Sequence, residues 1–129
     1  MDTGASSHLT ADPGMISSPF NSSNIHSILV GNGNSIPVLG SCSSTINTTS
    51  RALHLQNILH TPIIIKNLIS VRRFTKDNHV SVKFDPFGFF VKDILSGTII
   101  LRSNSTSDLY PVTTSTNQHN NEPQPFFTI

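Results

Sequence analysis

Hydrophobic and polar residues alternate along several short stretches of the chain, a pattern that is typical of half-buried β-strands. Residues 25–30 and 35–40 are two such stretches, and Gly31-Asn32-Gly33-Asn34 separates them. Asn-Gly readily adopts the positive backbone dihedral angles that a tight hairpin requires. The pattern therefore predicts a β-hairpin, in which Pro37 faces an edge or a bulge because it has no N–H to donate.

A further alternating stretch, residues 52–60, predicts a strand with one apolar and one polar face. Its expected buried residues are Leu53, Leu55 and Ile58, and its expected outward residues are His54 and Gln56. Leu59 breaks the strict alternation, and Pro62 is expected to end the element. The β-branched run at 63–65 fits either a buried strand or an apolar loop that packs inward.

The spacing after residue 70 predicts one short helix. Ser70 can cap it, Val71 and Phe74 lie three residues apart on one face, and Asn78 can end it. The basic residues expected on the exposed side are Arg72, Arg73 and Lys76. Three basic residues could contact nucleic acid, but a solvated helix face is the preferred interpretation.

The second half of the chain predicts another hairpin and a following strand. Residues 80–84 alternate, Asp85-Pro86-Phe87-Gly88 has the composition of a turn, and residues 89–91 return. Residues 98–101 predict a further strand. From residue 113 onward the chain is rich in Thr, Asn, Gln and Pro. We therefore expect one ordered domain over residues 1–112 and a polar, disordered tail over residues 113–129.

Many short strands, closely spaced turn signals and one short helix predict an all-β domain. The expected architecture is a small closed barrel of short hairpins with one short helix.

Composition narrows the possible functions. The 129 residues suffice for one domain. The net charge of +1, with 12% charged residues, argues against strong electrostatic binding to nucleic acid or to an acidic membrane. Cys42 is the single cysteine, which excludes an internal disulfide and favours a reducing compartment. No apolar stretch is long enough to span a bilayer, and we expect no signal peptide and a cytoplasmic location.

Two other chemistries were weighed and set aside. The chain has six histidines, but no pair of ligand residues has the spacing of a zinc site; His54 and His60 come nearest, on a strand whose even spacing would put both on one face. The glycine-rich segment 31–34 matches neither a P-loop nor a dinucleotide fingerprint. We therefore expect no metal and no cofactor.

The residues at the front of the chain, Asp2-Thr3-Gly4, are those of an aspartic protease catalytic loop. Asp supplies a carboxylate that can take a proton from water, Thr supplies a hydroxyl for the loop, and Gly permits a sharp turn. Two carboxylates about 3 Å apart share one proton because both cannot ionise. The sequence contains no second such motif, so a second copy of the chain would have to supply the other carboxylate.

Further segments extend this motif into a family resemblance. The chain resembles the protease-region β-barrel of copia-type retrotransposon Pol polyproteins, which is related to retroviral aspartic proteases. The segments that carry the resemblance are residues 2–10, Val30-Gly31-Asn32-Gly33, Ile36-Pro37-Val38 with Gly40, residues 55–62, residues 66–71, Thr75-Lys76-Asp77-Asn78, Val91-Lys92-Asp93 and Leu109-Tyr110. It runs from Asp2 to about Val112.

The resemblance implies a retropepsin-like fold and an aspartic endopeptidase that processes a Gag-Pol polyprotein as a homodimer. Asp2 would be the catalytic carboxylate, Thr3 would make loop and inter-subunit hydrogen bonds, and Gly4 would form the tight turn. Gly31, Asn32, Gly33 and Asn34 would form the flap over the substrate. The substrate would be polyprotein peptide, cut inside virus-like particles in the cytoplasm, with no cofactor and no direct contact to nucleic acid or membrane.

The sequence also departs from the family pattern. Family members have an apolar strand before the Asp, whereas Met1 directly precedes Asp2 here. We therefore expect a fragment that lacks the N-terminal strand and has impaired activity. The alternative hypothesis is a non-catalytic β-barrel remnant of a retrotransposon polyprotein, and a nucleic-acid-binding module is a weaker third.

Overall fold

Strands dominate the structure, with one short helix in the middle of the chain. A computed structural model describes residues 5–11, 25–64 and 66–104, together with the backbone of residues 111–113 and 126–128. The elements are β1 (Leu9–Thr10), β2 (Ser27–Leu29), β3 (Ser35–Pro37), β4 (Gly40–Ile46), β5 (Leu53–His60), β6 (Asn67–Leu68), α1 (Val71–Asn78), β7 (Val80–Asp85), β8 (Gly88–Asp93), β9 (Ile99–Asn104), β10 (Pro111–Thr113) and β11 (Phe126–Thr128).

The strands form three separate sheets. The largest is mixed and has the order β10-β11-β6-β1-β5-β4, the second is the hairpin β2-β3, and the third is the antiparallel meander β7-β8-β9. The prediction of a closed barrel is therefore wrong: within the part of the chain that the structure describes, none of these sheets closes. Closure requires strands of matched tilt and register around the whole circuit, and β1 and β6, with two residues each, cannot carry such a ladder.

The β2-β3 hairpin confirms the turn signal at residues 31–34. Its register pairs Ser27 with Pro37 and Leu29 with Ser35. Pro37 is exposed on a strand of a two-stranded sheet, as its missing N–H predicts.

A β-bulge in β5 explains why Leu59 breaks the alternation. Cys42 pairs with Ile58 and Ser44 with Leu55, so β5 has one more residue than β4 over this stretch. Asn57 lies within it and has φ of 55°, the left-handed conformation that Asn tolerates better than most residues. The extra residue shifts the phase, so Ile58 points to the same side as Leu55 while Leu59 is buried on the opposite side.

As a result, β5 contributes to two hydrophobic cores. The large core brings together β4, β5, α1 and the β7-β8-β9 sheet, and its buried members are Cys42, Ile46, Leu53, Leu55, Ile58, Ile69, Phe74, Val80, Phe89, Val91 and Ile100. The small core consists of Leu9, Val38 and Leu59, with Ile28, Ile64 and Leu68 packed against it. The small core therefore joins the front of the chain to the β2-β3 hairpin.

Helix α1 begins and ends where the sequence predicted. Ser70 is the N-cap, and its hydroxyl accepts a hydrogen bond from the Arg73 N–H. Asn78 is the last helical residue, and His79 follows with φ of 52°, the left-handed conformation that often ends helices. Arg72 and Lys76 are exposed as predicted, whereas Arg73 is only half-exposed.

The β7-β8 hairpin also follows its sequence signal. β7 and β8 pair from Val80↔Asp93 to Asp85↔Gly88, so Pro86 and Phe87 form the turn. Gly88 is required there, because a Cβ atom at this position would lie 1.9 Å from the Ser103 carbonyl oxygen. The tight approach of β9 to β8 thus depends on one glycine.

The remaining expectations concern the ends of the chain and the segment at 63–65. Ile63 is 61% exposed and Ile64 packs against the small core, which favours the loop over the strand. Three residues of the predicted tail, Phe126–Thr128, form β11 between β10 and β6; residues 114–125 lie outside the described residues, so the domain boundary stays a prediction. No helix in the described ranges is long and apolar enough to cross a membrane.

Candidate functional site

A cleft of about 500 Å³ lies between the front of the chain and the β2-β3 hairpin. One wall belongs to the hairpin and the other to residues 5–7, which we call the loop wall; Leu9 and Leu68 complete it. The lining residues are Ala5, Ser6, Ser7, Leu9, Ile28, Leu29, Val30, Gly31 and Leu68. Of these described lining residues none carries a charge, so the cleft presents apolar side chains and small polar groups.

The hairpin wall is shaped by a three-residue turn. The Val30 carbonyl accepts from the Gly33 N–H at 2.8 Å, and the Val30 N–H donates to the Asn34 carbonyl at 2.9 Å. Gly33 takes φ of 85°, as the third position of this turn requires, and the Asn34 N–H donates to the Asn32 side chain at 2.9 Å. Leu29 is 78% exposed, so this wall carries apolar surface that the described residues leave uncovered.

Two hydrogen bonds from Ser70 anchor the loop wall. The Ser70 hydroxyl donates to the Ala5 carbonyl at 2.6 Å, and the Ser70 N–H donates to Nδ1 of His8 at 2.9 Å. Because Ala5 and His8 flank Ser6 and Ser7, both ends of the segment that carries these serines are tied to the start of α1.

A second set of contacts holds the strand that follows. The Asn67 side-chain oxygen accepts from the Thr10 hydroxyl at 3.0 Å and from the Ala11 N–H at 2.9 Å. The His8 carbonyl accepts from the Leu59 N–H at 2.9 Å, and the Thr10 carbonyl accepts from the Thr61 N–H at 2.8 Å. Residues 8–11 are thus fixed on both sides, by β5 and by β6.

His8 is the most perturbed ionisable group near the cleft. Its side chain is fully buried, and burial, with a smaller contribution from the positive charge of Arg73, lowers the pKa of His8 to about 4. Asp77 acts weakly in the opposite direction. Nδ1 accepts from Ser70, so the neutral ring carries its proton on Nε2, and Nε2 has no hydrogen-bond partner among the described residues.

The sequence-predicted site residues fall into two groups. Asp2, Thr3 and Gly4 lie outside the described residues, immediately before Ala5 of the loop wall. Gly31, Asn32, Gly33 and Asn34 form the tip of the hairpin, and Gly31 lines the cleft. Their roles as catalytic loop and flap stay predictions.

The side chains considered as possible metal ligands do not cluster in the described part of the chain. Across the described ranges no three His, Cys, Asp or Glu side chains lie close enough to hold a metal ion. The expectation that His54 and His60 share a face of β5 is wrong, because the bulge at Asn57 lies between them. Cys42 is buried, and burial raises the pKa of its thiol to about 11, which makes it a poor nucleophile.

Sequence reasoning missed the contacts behind the loop wall. In the sequence, His8 is only one of six histidines, and Ser70 is predicted only as a helix cap. The cap motif was the available signal for Ser70, but no local pattern joins residues that are 62 positions apart. Their pairing became visible only when β1, β5 and β6 were placed side by side.

The sequence matches one protein family and is similar to two retrotransposon polyproteins. Residues 1–79 match the family described as "Pol polyprotein, beta-barrel domain". The chain is 38% identical over 117 residues to the retrovirus-related Pol polyprotein from transposon RE1 of Arabidopsis thaliana, covering 85% of this chain and 8% of the relative. It is 36% identical over 117 residues, with the same coverage, to the retrovirus-related Pol polyprotein from transposon RE2 of that plant.

The chain thus spans 8% of the length of each of these two relatives. No solved structure matches it. The family match covers more than half of the 129 residues, and the resemblance drawn from the sequence motifs agrees with it. The chain therefore belongs to the Pol polyprotein beta-barrel domain family, and it is a domain of the copia-type retrotransposon Pol polyprotein.

Proposed function

We propose that this domain is an aspartic endopeptidase that cuts polyprotein peptide as a dimer, with Asp2 as the catalytic carboxylate. One observation carries the proposal: the residues that directly follow Asp2-Thr3-Gly4 form one wall of a cleft, and a glycine-tipped hairpin forms the other. A three-residue segment spans at most roughly 11 Å. The covalent chain therefore limits the separation of Asp2 from Ala5 of the loop wall to roughly this length.

The proposed chemistry needs two carboxylates and one water. Asp2 of each copy would share a single proton, because like charges at this separation cannot both ionise. The ionised carboxylate takes a proton from the water as it attacks the peptide carbonyl, and the protonated one donates to the carbonyl oxygen. The resulting intermediate collapses with cleavage of the C–N bond, and the leaving amine takes up a proton.

The cleft supports a peptide substrate. Its described lining is apolar or small and uncharged, which suits the side chains of an extended peptide better than a phosphate or a charged metabolite. The hairpin strands belong to a two-stranded sheet, so among the described residues each strand has an outer edge whose backbone groups can pair with a peptide main chain. Leu29, exposed on this wall, would lose its contact with water when a peptide binds.

The test compares the chain with its Asp2→Asn variant in cleavage of a fluorogenic peptide library between pH 4 and pH 7. Both are also made with an apolar β-strand placed before Met1, as in the family pattern. We expect cleavage by at least one wild-type form and a loss of at least about a hundredfold in the matching Asp2→Asn form, as for removal of an essential acid–base group.

Two outcomes contradict the proposal in different ways. Equal cleavage by wild type and Asp2→Asn would remove the role assigned to Asp2. Absence of cleavage from both wild-type forms, in samples that are folded and dimeric, would favour the non-catalytic remnant.

A further inference from the structure

A buried, hydrogen-bonded contact between His8 and Ser70 lies behind the candidate cleft. His8 is 0% exposed and Ser70 is 0% exposed. Ser70 makes three hydrogen bonds at once: its hydroxyl donates to the Ala5 carbonyl and accepts from the Arg73 N–H, while its own N–H donates to Nδ1 of His8. A single serine therefore joins the loop wall to the first turn of α1.

We propose that His8 and Ser70 are positioning residues that hold the loop wall, and that they do so only while the His8 ring is neutral. Any effect of this contact on catalysis, through the adjoining Asp2-Thr3-Gly4, rests on the proposed function. The positioning of the loop wall does not depend on the proposed function. Ala5 and His8 are the two ends of a four-residue segment. The Ser70 hydroxyl holds the Ala5 end, and the Ser70 N–H fixes the His8 ring in addition to the Leu59 N–H that holds the His8 carbonyl.

The requirement for a neutral ring follows from the direction of the hydrogen bond. Nδ1 accepts from a backbone N–H, and it can do so only with a free lone pair. An imidazolium ring carries a proton on both nitrogens, so protonation would place two N–H groups face to face. Ser70 cannot reverse the bond, because a backbone N–H only donates.

The surroundings of His8 keep the ring neutral. Burial is the largest cause, and the positive charge of Arg73 on α1 adds to it, so the pKa of His8 falls to about 4. Among the described residues the opposing charge is that of Asp77, also on α1, and its effect is smaller than that of Arg73. The contact is therefore intact at neutral pH and opens in acid.

The unpaired Nε2–H group is a second sign that His8 has a role beyond packing. Nε2 is buried and has no partner among the described residues, and a buried polar atom without a partner is costly. An apolar side chain of similar size would avoid this cost. What His8 provides, and an apolar residue does not, is the acceptor for the Ser70 N–H.

The test is a nitrogen-15 NMR study of the full chain, which needs no enzymatic activity. We expect ring nitrogen shifts of a neutral His8 with the proton on Nε2, and a titration near pH 4. We expect the protection of the Ser70 amide against hydrogen exchange to fall about fivefold or more as His8 titrates, the effect of one lost hydrogen bond.

Four variants separate positioning from simple packing. His8→Asn keeps an oxygen acceptor near Nδ1 and removes the titration, so its Ser70 amide should stay protected below pH 4. His8→Leu fills the space without an acceptor, and its Ser70 amide should lose protection at every pH. Ser70→Thr should retain the hydroxyl bond to the Ala5 carbonyl. Ser70→Ala should lose that bond while keeping the backbone N–H bond to His8. The matched control is His54→Asn, an exposed histidine on β5, which should behave as wild type.

The result can overturn the proposal without reference to catalysis. Titration of His8 near its ordinary pKa of about 6.5, with the Ser70 amide still protected, would contradict the proposal. So would an equal loss of protection at pH 4 in wild type and His8→Asn, a comparison that holds even if His8→Leu does not fold. If peptide cleavage is found, His8→Asn should extend kcat to lower pH with KM unchanged; absence of cleavage would count against the proposed function alone.

Discussion

His8 shows how one buried ring links acidity to the order of a site. Its neutral form accepts from Ser70, and its charged form cannot. At neutral pH the contact helps to fix the segment that directly follows Asp2-Thr3-Gly4, and protonation of the ring in acid removes it. The proposed endopeptidase would also use carboxylates that share a proton in acid, so the pH range of activity would be limited from below by the loop wall.

The first residue-scale prediction concerns stability against pH. The pKa of His8 is about 4 in the folded chain and about 6.5 in an unfolded one. The unfolded chain therefore binds the proton first as pH falls, and stability decreases between about pH 6.5 and pH 4. The decrease due to His8 is about 3 kcal/mol, and urea unfolding at a series of pH values measures it.

The comparison with His8→Asn isolates this contribution. The variant should show a flat free energy of unfolding from pH 6.5 to pH 4, apart from changes shared with the wild type. Asp93 is common to both proteins: its pKa is lowered mainly by the Ser96 N–H, and the Arg51 guanidinium adds to this effect. Its contribution to stability begins to fall at about pH 5 in wild type and variant alike and cancels in the comparison. Identical pH slopes in wild type and His8→Asn would contradict the assignment.

At the scale of elements, β5 is the strand that connects the two cores. Its inward residues could be predicted from alternation up to Leu55, and the structure confirms them as buried. The bulge at Asn57 could not be predicted, because it depends on the pairing with β4 and on no local turn signal. The break in alternation at Leu59 was visible in the sequence. It occurs because the buried residues of β5 change from one side of the strand to the other after the bulge.

Helix α1 depends on Asn78 for its docking on β5. Asn78 is 2% exposed; its side-chain nitrogen donates to the His54 carbonyl and the Phe74 carbonyl, and its side-chain oxygen accepts from the His54 N–H. The helical pattern identified Asn78 as a helix end. It could not show that the amide also caps an edge of β5, since that contact is 24 residues away in sequence.

The prediction for this element is that Asn78→Ala lowers the free energy of unfolding by roughly 2–4 kcal/mol, because it leaves the His54 backbone groups without their partner. Urea denaturation followed by circular dichroism measures the change. The matched control on the same helix is Lys76→Ala, an exposed position where a change within about 0.5 kcal/mol is expected. Equal effects at the two positions would contradict the role given to the Asn78 amide.

At the scale of the whole molecule, local patterns predicted most strands and both hairpins but not how the sheets combine. The pairs β2-β3 and β7-β8 are joined by short turns, and their sequence signals were sufficient. The neighbours of β1 are β5 and β6, about 50 residues or more distant, and no turn residue encodes such pairings. A closed barrel was inferred from many short strands, closely spaced turn signals and the family resemblance, and the three sheets formed by the described residues correct it.

The candidate site depends on the same long-range pairings. The hairpin wall was predictable because it is local. The loop wall was not, because its anchors come from Ser70, the N-cap of α1, which is distant in sequence. Asp2-Thr3-Gly4 could be recognised from residue types and family motifs, and it directly precedes Ala5 of the loop wall in the sequence.

The proposed endopeptidase needs one Asp2 carboxylate from each of two chains for catalysis. The measurement that tests it most directly is the dependence of the peptide-cleavage rate on chain concentration, with sedimentation of the same samples. Below the dimer dissociation constant the rate should rise with the square of the concentration, and added Asp2→Asn chains should suppress it by forming mixed dimers. A rate proportional to concentration in samples that sediment as monomers would contradict the account.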